Sequence, residues 1–567
     1  MIAGRSAGGA GAAGGGSPWR RELGIALAIG GGLWLLTLIP YLVGYLDAPP
    51  GKSFNGFFYL ADDATTYVSK MREGAEGAWG WSDRYISVPV ARPVLLFLFY
   101  VLWGKVAALL HISLYAAYHL ARLSGAVALV AAARALARRT LPDPSTRRLA
   151  LALALLGSGA GYLAALAHYP SILGQPVEAL DLHLPELSGL YSVMAIPHFA
   201  WSAALMAWSL LALMDLAAGA TPARVARAAL LMAALGLIHP QMLFVLAVLA
   251  AAHLALARAG RGAWVGAGVA FAANVPLLVY YLQALTGDPV IVAWSRQWKH
   301  QAPGAVGLAL ALGLPLALAV FGALRGAGRA APAQRLMAVW VVLVAALLYL
   351  PNPVNIQRRL LDGIYLPIAV LAAAGVAELA RRRGGDGRSL RFGVVAVASV
   401  SSLLVVGIGL LWAVGHAPFI YLDRDAETVM VGMALDPHSA CLPPAVLAHP
   451  DTGLWVPART GYRVVVGHYS ETISYPERAH AALAAMRRGG PDLAAFMAAN
   501  QADLLWIGPT ERDAGAAPPD PGLFAVAYSA GDVSVYRLRQ PASTPTTAPA
   551  SSLAPPCGLA PEPVPGG

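Results

Sequence analysis

FFYLADDATTY, residues 57–67, places two adjacent carboxylates directly after the first long apolar run of the chain. Asp62 and Asp63 are therefore predicted beside a membrane surface, where ionised side chains are costly and usually functional. The alternative interpretation is structural, because an acidic pair at the start of a short helix often caps that helix and faces water. Both interpretations stay open on this stretch alone.

The composition indicates a membrane protein with many apolar segments. Of the 567 residues, 57% are hydrophobic and only 12% are charged, and the mean hydropathy is +0.59. An average soluble domain has about 25% charged residues, so a polytopic membrane protein is predicted. A net charge of +10 would favour a nucleic-acid partner in a soluble protein. Here the arginines stand between apolar runs, as topology signals do, and no nucleic-acid partner is predicted.

The arginines also set the predicted topology, because loops rich in Lys and Arg stay in the cytoplasm. Residues 23–45 form the first predicted span, and Arg20 and Arg21 before it keep the N-terminus inside. We predict that residues 93–110 form an interfacial helix, since a span there would carry the arginine-rich stretch 134–148 to the outside. With this choice the later arginine clusters also fall inside, in an integral plasma-membrane protein.

The predicted fold class is mainly α, a bundle of about eleven transmembrane helices. The predicted spans are 23–45, 114–136, 149–168, 199–217, 228–238, 241–257, 263–285, 306–324, 335–350, 363–380 and 392–414. The fifth and sixth are short arms on either side of His239 and Pro240. A broken helix of this kind is tolerated where it is buried in protein or lines a wet cavity.

Composition divides the chain into four predicted regions. They are a flexible cytoplasmic leader at 1–22, a transmembrane domain at 23–416 with an external loop at 46–113, an extracytoplasmic domain at 417–539 and a disordered tail at 540–567. The third region regains the charged and turn residues of a soluble domain. Its predicted elements are strands at 463–466, 504–507 and 533–538 and a helix at 477–488. These elements predict a small α/β domain.

On this topology, the polar residues that are not topology signals collect on the outer side. They are Asp62, Asp63, Tyr67, Lys70, Arg72, Asp83, Arg84, His119, Arg122, Glu178, Asp181, His183, Glu186, His198, His239, Arg296, Lys299, His300, Asn355, Gln357, Arg358, Arg359 and Asp362. Carboxylates and cations on one face suit an anionic, membrane-borne substrate such as a lipid phosphate. Arg358 and Arg359 are the leading phosphate ligands because a guanidinium plane donates two hydrogen bonds at once. The alternative for this pair is to anchor a helix end at the interface.

Tyr67, His119, His198 and His239 are predicted to line the outer cavity. The alternative for a lone histidine is to bridge two membrane helices, which is the more common role. The histidine spacing does not predict a zinc site within one element. Since neither a Walker A sequence nor a GxGxxG or GxSxG motif in a strand–turn–helix context is present, nucleotide binding is not predicted.

These features together resemble the GT-C superfamily of membrane glycosyltransferases, which includes the protein mannosyltransferases and the lipid A aminoarabinose transferase. The resemblance lies in a single span, an external loop with LADDATTY, an interfacial segment that begins with Arg92 and Pro93, a following helix with YHLAR at residues 118–122, and a broken hairpin in the middle of the chain. It covers most of residues 23–380 in layout.

The resemblance implies an inverting glycosyltransferase whose donor is a sugar linked to polyprenyl phosphate and whose acceptor is an unidentified glycan, lipid or protein. Asp62 or Asp63 matches the acidic residue of the first external loop, which acts on the acceptor. Arg358, Arg359 or Arg122 matches the basic residue beside the donor phosphate. Some relatives use a divalent metal with two carboxylates one residue apart. The adjacent aspartates here leave the metal open.

Two other functions are alternatives. A transporter or flippase of a lipid-linked glycan also needs contacts to anionic lipid and broken helices, but the two halves of the sequence show no convincing internal repeat. A non-catalytic membrane scaffold would tolerate replacement of both aspartates. In the C-terminal domain, GHYSET at residues 467–472 is polar enough for a binding loop, and a solvated turn is an equally good interpretation.

Overall fold

The computed structural model describes residues 18–88, 93–169, 171–172, 175–297, 300–326, 331–351, 356–384, 387–436 and 443–539. The predicted leader up to residue 17, the predicted tail at 540–567 and Arg92 lie outside the described residues. The first helix begins at Pro18, so the last five residues of the predicted leader are helical. Proline suits the first position of a helix because its φ is already helical and its missing N–H would have no partner there.

Helices make up most of the chain up to Val414. They are α1 Pro18–Leu46, α2 Ala61–Ala75, α3 Leu98–Leu110, α4 Leu114–Thr140, α5 Pro144–Leu156, α6 Gly161–Leu166, α7 Leu180–His183, α8 Gly189–Met194, α9 Pro197–Leu216, α10 Pro222–Ile238, α11 Met242–Leu256, α12 Arg261–Ala272, α13 Val275–Gly287, α14 Pro289–Gln297, α15 Ala305–Gly326, α16 Pro332–Tyr349, α17 Tyr365–Arg383, α18 Arg388–Ala398 and α19 Val400–Val414. Strand β1 is Lys52–Phe54, and β2 Ser171–Ile172 pairs with β3 Gln175–Pro176.

Seven stretches among the described helices are long and apolar enough to cross a membrane, and the bent pair α18 and α19 makes an eighth. The seven are α1, α4, α5 with α6, α9, α12 with α13, α15 and α16. The predicted number of about eleven is therefore not confirmed. Helices α10 and α11 have 17 and 15 residues, fewer than the roughly 20 that a span needs. Helix α17 ends in the charged residues Arg381, Arg382 and Arg383.

Two local features of the helices match the sequence patterns, while the membrane position of residues 93–110 stays a prediction. Helix α3 has 13 residues, which at 1.5 Å each give about 20 Å, too short for a hydrocarbon layer of about 30 Å. The break at His239 and Pro240 is present, because α10 ends at Ile238 and α11 begins at Met242. The chain therefore has both the short helix and the broken pair that its sequence predicts.

Helix α2, which carries the acidic pair, packs against α3 with the two backbones in direct contact. A Cβ atom on Gly104 would lie 1.8 Å from the carbonyl oxygen of Met71, and one on Gly74 would lie 2.0 Å from that of Val101. Only glycine allows so close an approach. The acidic turn is thus fixed to the membrane-embedded part through α3.

The C-terminal region is a small α/β unit, which confirms the predicted fold class. Its elements are β4 Tyr421–Asp423, α20 Arg424–Leu435, β5 Ala445–Leu447, α21 Pro450–Thr460, β6 Arg463–Val464, α22 Tyr475–Arg488, α23 Gly490–Ala499, β7 Leu504–Ile507, α24 Pro509–Asp513, β8 Phe524–Ala530 and β9 Val533–Leu538. The sheet order is β6-β5-β7-β9-β8. Strands β6, β5 and β7 are parallel, and β7, β9 and β8 are antiparallel. Successive residues of β7 pack into two separate apolar clusters, because neighbouring side chains of a strand point to opposite faces of the sheet.

The C-terminal region is joined to the loop that carries α2. Strand β1 pairs antiparallel with β4, with Lys52 opposite Asp423 and Phe54 opposite Tyr421. Beyond α2, the backbone N–H of Val464 donates to the carbonyl of Arg84 at 2.9 Å. The loop after α1 and the chain after α19 therefore meet at one end of the helical bundle.

Candidate active site

The acidic pair lies in the first turn of α2 without capping it. The residue before the helix is Leu60, which has a left-handed φ of 49° and makes no side-chain cap. Asp62 and Asp63 therefore stabilise the helix only through the interaction of their charges with the helix dipole. Asp62 is exposed, whereas 34% of the Asp63 side chain is exposed. Of the two carboxylates, Asp63 is the one enclosed by other parts of the protein.

A histidine of the C-terminal region faces Asp63. The Nε2 atom of His468 lies 3.7 Å from Oδ1 of Asp63, and only 1% of His468 is exposed. It belongs to the GHYSET segment, which the sequence left open between a binding loop and a solvated turn. The structure places this segment against the acidic turn, and His468, which sequence analysis did not single out, is one of the residues in contact with it.

A buried ion pair holds the same segment against α2. The ammonium of Lys70 lies 2.7 Å from Oε1 of Glu471, and the indole N–H of Trp294 donates to Oε2 of Glu471 at 2.8 Å. Lys70 also donates to the hydroxyl of Thr66 at 3.2 Å and lies over the ring of Phe97. Lys70 and Glu471 are 1% and 5% exposed. A salt bridge so deeply buried needs both partners, because either charge alone would be uncompensated.

Arg358 and Arg359 converge on a buried carboxylate that the sequence did not place beside them. Oε1 of Glu186 lies 3.6 Å from Nη1 of Arg359 and 3.9 Å from Nε of Arg358. The second oxygen, Oε2 of Glu186, is buried and accepts no hydrogen bond from the described residues. Arg358 is also fixed by its backbone N–H, which donates to the carbonyl of His300 at 2.9 Å. The pair is therefore anchored and partly neutralised.

Tyr469 connects the acidic pair with the arginine pair. Tyr469 is 59% exposed; partial burial and the charges of Asp63 and Asp62 raise the pKa of its hydroxyl, whereas Arg358 and Arg359 lower it. All four charged groups are thus within electrostatic reach of one hydroxyl. Tyr67, one turn after Asp63 in α2, links the two sets by contacts, because its ring lies 5.3 Å from that of His198 and Arg359 lies 5.6 Å from the ring of the adjacent Phe199.

The predicted cavity residues Tyr67, His198 and His239 form a chain of contacts that begins one helical turn after Asp63. Tyr67 stacks on Tyr100 with 4.2 Å between ring centroids, and the hydroxyl of Tyr100 is 2.6 Å from Nδ1 of His198. The rings of His198 and His239 are 5.0 Å apart. Nδ1 of His239 lies 2.7 Å from Oδ2 of Asp362. Both histidines are buried, and His239 is not exposed at a hairpin tip.

Arg122 and His119 lie apart from the arginine pair, in a contact between helices α1, α4 and α8. The Arg122 side chain is fully buried and donates to the carbonyl of Val193 at 2.9 Å and to the hydroxyl of Thr37 at 2.8 Å. Its Nη1 lies 2.7 Å from Nδ1 of His119. Because these donors already face protein acceptors, the contacts of Arg122 do not support its predicted role as a phosphate ligand.

The electrostatics of the site favour a proton acceptor at Asp63 and a cation at Arg359. Burial raises the pKa of the Asp63 carboxyl, although His468, Arg359 and Lys70 oppose that rise. Burial also raises the pKa of Asp62, with a contribution from Asp451. Burial disfavours the charged form of Arg359, but Glu186 and its other anionic neighbours outweigh burial and raise its pKa. A carboxylate with a raised pKa takes up a proton more readily near neutral pH.

The part of the chain that the structure describes has no group of three or more His, Cys, Asp or Glu residues placed to hold a metal ion. Asp62 and Asp63 diverge, as adjacent residues of a helix do at about 100° per residue. The divalent metal that the resemblance left open therefore has no ligand set among these residues.

No family model and no curated protein matches the sequence. Solved structures do match. The crystal structure of the Archaeoglobus fulgidus oligosaccharyltransferase in its apo form is 12% identical, covering 85% of this chain and 69% of that chain with a TM-score of 0.51. The arabinofuranosyltransferase AftD from Mycobacteria is 17% identical, covering 92% of this chain with a TM-score of 0.50. ArnT from Cupriavidus metallidurans bound to undecaprenyl phosphate is 14% identical, covering 91% and 97% of the two chains with a TM-score of 0.48.

At these identities, the similarity to the oligosaccharyltransferase and to AftD establishes a shared fold. The chain spans only 40% of the length of AftD. The similarity extends over most of the described helices and into the C-terminal region, since 85% or more of this chain is covered in both cases.

Proposed function

We infer that this chain, which has the fold of the GT-C membrane glycosyltransferases, transfers a sugar from a polyprenyl-phosphate donor to an acceptor hydroxyl at the outer face of the plasma membrane. The observation that supports this most directly is a run of contacts from α2 to the arginine pair. Tyr67, one turn after Asp63, packs against His198, and Arg359 lies over the ring of the adjacent Phe199. A proton acceptor and a phosphate clamp on two sides of one space are the parts that such a transfer needs.

In the proposed reaction, Asp63 takes the proton of the acceptor hydroxyl as the acceptor oxygen attacks the anomeric carbon of the donor sugar. The bond between that carbon and the phosphate oxygen breaks, and polyprenyl phosphate leaves with the electron pair. Arg358 and Arg359 stabilise the negative charge that develops on the phosphate. Attack from the side opposite the phosphate inverts the anomeric configuration.

Glu186 has a defined part in this proposal as the counter-ion of the arginine pair before donor binds. An incoming phosphate carries the same charge as Glu186 and competes for the same guanidinium groups. The buried, unpaired Oε2 atom shows that the carboxylate is only partly satisfied by the described residues. Glu186 therefore limits donor affinity while it keeps the empty site electrically balanced.

We expect replacement of Arg358 and Arg359 by Ala to weaken donor use without preventing membrane insertion. A hydrogen bond to a charged group contributes about 1.5–3 kcal/mol, so each variant is expected to raise the donor KM by about 10- to 100-fold. Arg359→Ala alone leaves the buried Glu186 carboxylate without its partner. The double variant Arg359→Ala with Glu186→Gln is therefore tested as well. The measurement is transfer from a prenyl-phosphate sugar at varied donor concentration.

The control is Arg488→Ala, which removes an exposed arginine of the C-terminal region whose partner is Asp492. It is expected to leave the donor KM unchanged. If the single variants and the double arginine variant all kept the parent KM, the proposed phosphate clamp would be wrong.

We also expect the acidic loop and the C-terminal region to lie outside the cytoplasm. The motivation is the arginine distribution together with the pairing of β1 with β4, which keeps both segments on one side. After replacement of the native cysteines, Ala223→Cys and Ala498→Cys offer exposed positions at the predicted inner and outer ends. A membrane-impermeant maleimide added to intact cells should label only the second. Labelling of the first alone would reverse the orientation.

A further inference from the structure

The loop at 467–474 has a fixed shape and is bound to the chain that follows α2. The backbone N–H of Gly467 donates to the Thr472 hydroxyl at 3.1 Å, and the N–H of Thr472 donates to the carbonyl of His468 at 2.9 Å. The Thr472 hydroxyl in turn donates to the carbonyl of Tyr85 at 3.0 Å. His468 is thus held in place by contacts to both parts of the protein.

The hydrogen bonds of the ring determine where His468 carries its proton. The backbone N–H of Ser470 lies 3.2 Å from Nδ1 of His468. A backbone N–H only donates, so Nδ1 is the acceptor and the neutral ring has its proton on Nε2. Nε2 is buried and has no hydrogen-bond partner among the described residues. This donor faces Oδ1 of Asp63 at 3.7 Å.

The other cations around Asp63 are already engaged by carboxylates. Lys70 is bound by Glu471 at 2.7 Å, and Arg359 lies 3.6 Å from Glu186. Tyr469, from the same loop as His468, is largely exposed. Among the described groups that face Asp63, His468 is therefore the buried donor that is available to form a hydrogen bond with this carboxylate.

We propose that His468 is a positioning residue, whose Nε2–H donates to Asp63 and holds this carboxylate ionised and aimed at the acceptor. The proposal rests on the proposed function, because it assigns a support to the base of that reaction. A distance of 3.7 Å is long for a hydrogen bond, and contacts of this kind commonly shorten when substrate binds. The C-terminal region is then part of the catalytic unit, since it supplies this support from 405 residues along the chain.

The test compares two amides that differ in reach. His468→Asn keeps an acceptor near the Ser470 N–H but ends short of Asp63, whereas His468→Gln extends an amide N–H to the position of Nε2. Loss of a hydrogen bond to a carboxylate disfavours its charged form. We expect Asp63 to become protonated about one pH unit higher in the Asn variant, since one unit corresponds to about 1.36 kcal/mol, and to keep the parent value in the Gln variant.

The measurement is labelling of Asp63 by a carbodiimide, which reacts with protonated carboxyl groups, followed over pH on the purified full-length protein by peptide mass spectrometry. Asp63→Asn identifies the labelled peptide, and His480→Asn, at an exposed histidine of α22, is the matched control. An unchanged midpoint in the Asn variant would overturn the proposal, and so would equal shifts in the Asn and Gln variants. Because the labelling needs no sugar donor, these outcomes are separate from failure of the transfer reaction itself.

Discussion

Replacement of Asp63 by Asn is expected to lower sugar transfer by about 10²- to 10⁴-fold, the usual contribution of a general base. The amide keeps the size and much of the hydrogen bonding of the carboxylate but cannot take the acceptor proton. The loss should appear mainly in kcat, because Arg358 and Arg359 still hold the donor. Transfer from a prenyl-phosphate sugar by the purified protein in lipid vesicles is the measurement.

Asp62→Asn is the matched control for this prediction. Asp62 is the exposed neighbour in the same helical turn, so its loss should cost much less. If Asp63→Asn transferred sugar at the parent rate, Asp63 would not be the base. If only Asp62→Asn were inactive, the assignment within the pair would be reversed.

The pH profile of the parent enzyme follows from the same carboxylate. Burial raises the pKa of Asp63, and a base is active only above its pKa. Transfer should therefore decline on the acidic side at a higher pH than a solvent-exposed aspartate would give. Asp63→Asn should lose this acidic limb along with its activity.

Replacement of Glu471 by Gln is expected to destabilise the protein by about 3–5 kcal/mol, because it leaves the Lys70 ammonium buried without a counter-charge. Lys70→Met should cost a similar amount for the opposite reason. The double variant Lys70→Met with Glu471→Gln removes both charges and should recover much of the stability. Thermal unfolding in detergent, followed by tryptophan fluorescence, is the measurement.

The surface pair Arg488 and Asp492 is the control, since both side chains are more than half exposed and such pairs contribute only about 0–1 kcal/mol.

Burial opposes the charged form of Glu471, but Lys70 and His468 outweigh it and hold its pKa below the usual value. The Lys70–Glu471 pair therefore contributes its full stability at pH values above the pKa that Glu471 has in the unfolded chain. This contribution is lost as the pH falls through the lower pKa that Glu471 has in the folded protein. A Glu471→Gln variant no less stable than Arg488→Gln would contradict this account.

The elements of the C-terminal region illustrate what local sequence patterns predict. The strands at 504–507 and 533–538 have the predicted bounds, and the predicted helix at 477–488 lies within α22. Strands β5 and β8 were not predicted. β5 is only three residues long, and its place between β6 and β7 depends on crossover helices that bring distant segments together.

The predicted span count is not confirmed, because length and charge, and not apolar character alone, decide which of the described helices qualify as spans. Helices α10 and α11 are apolar yet short, and they meet at His239, whose partner Asp362 lies 123 residues further along. A polar pair of this kind is a property of the fold. The sequence shows both residues but not their contact.

The candidate site was predicted in part. Asp63, Tyr67, His198, Arg358 and Arg359 were all named from the sequence, and in the structure Tyr67 contacts His198 while Arg359 lies over the adjacent Phe199. Their roles stay predictions. Their partners Glu186, Glu471 and His468 could not be assigned, because each contact joins segments far apart in the chain. Arg122 has the same residue type as the phosphate ligands, and only its contacts with Val193 and Thr37 show that its donors are already used.

The most direct test of the central claim is turnover of a lipid-linked sugar by the purified chain in proteoliposomes. A panel of prenyl-phosphate sugars with different labelled pentoses and hexoses is supplied together with an envelope extract as the source of acceptor. For one of these donors, the proposed function predicts that free polyprenyl phosphate accumulates and that the label moves to an acceptor, with Asp63→Asn inactive. Movement of the intact lipid-linked sugar across the membrane, with its sugar–phosphate bond unbroken, would contradict the account and support a flippase.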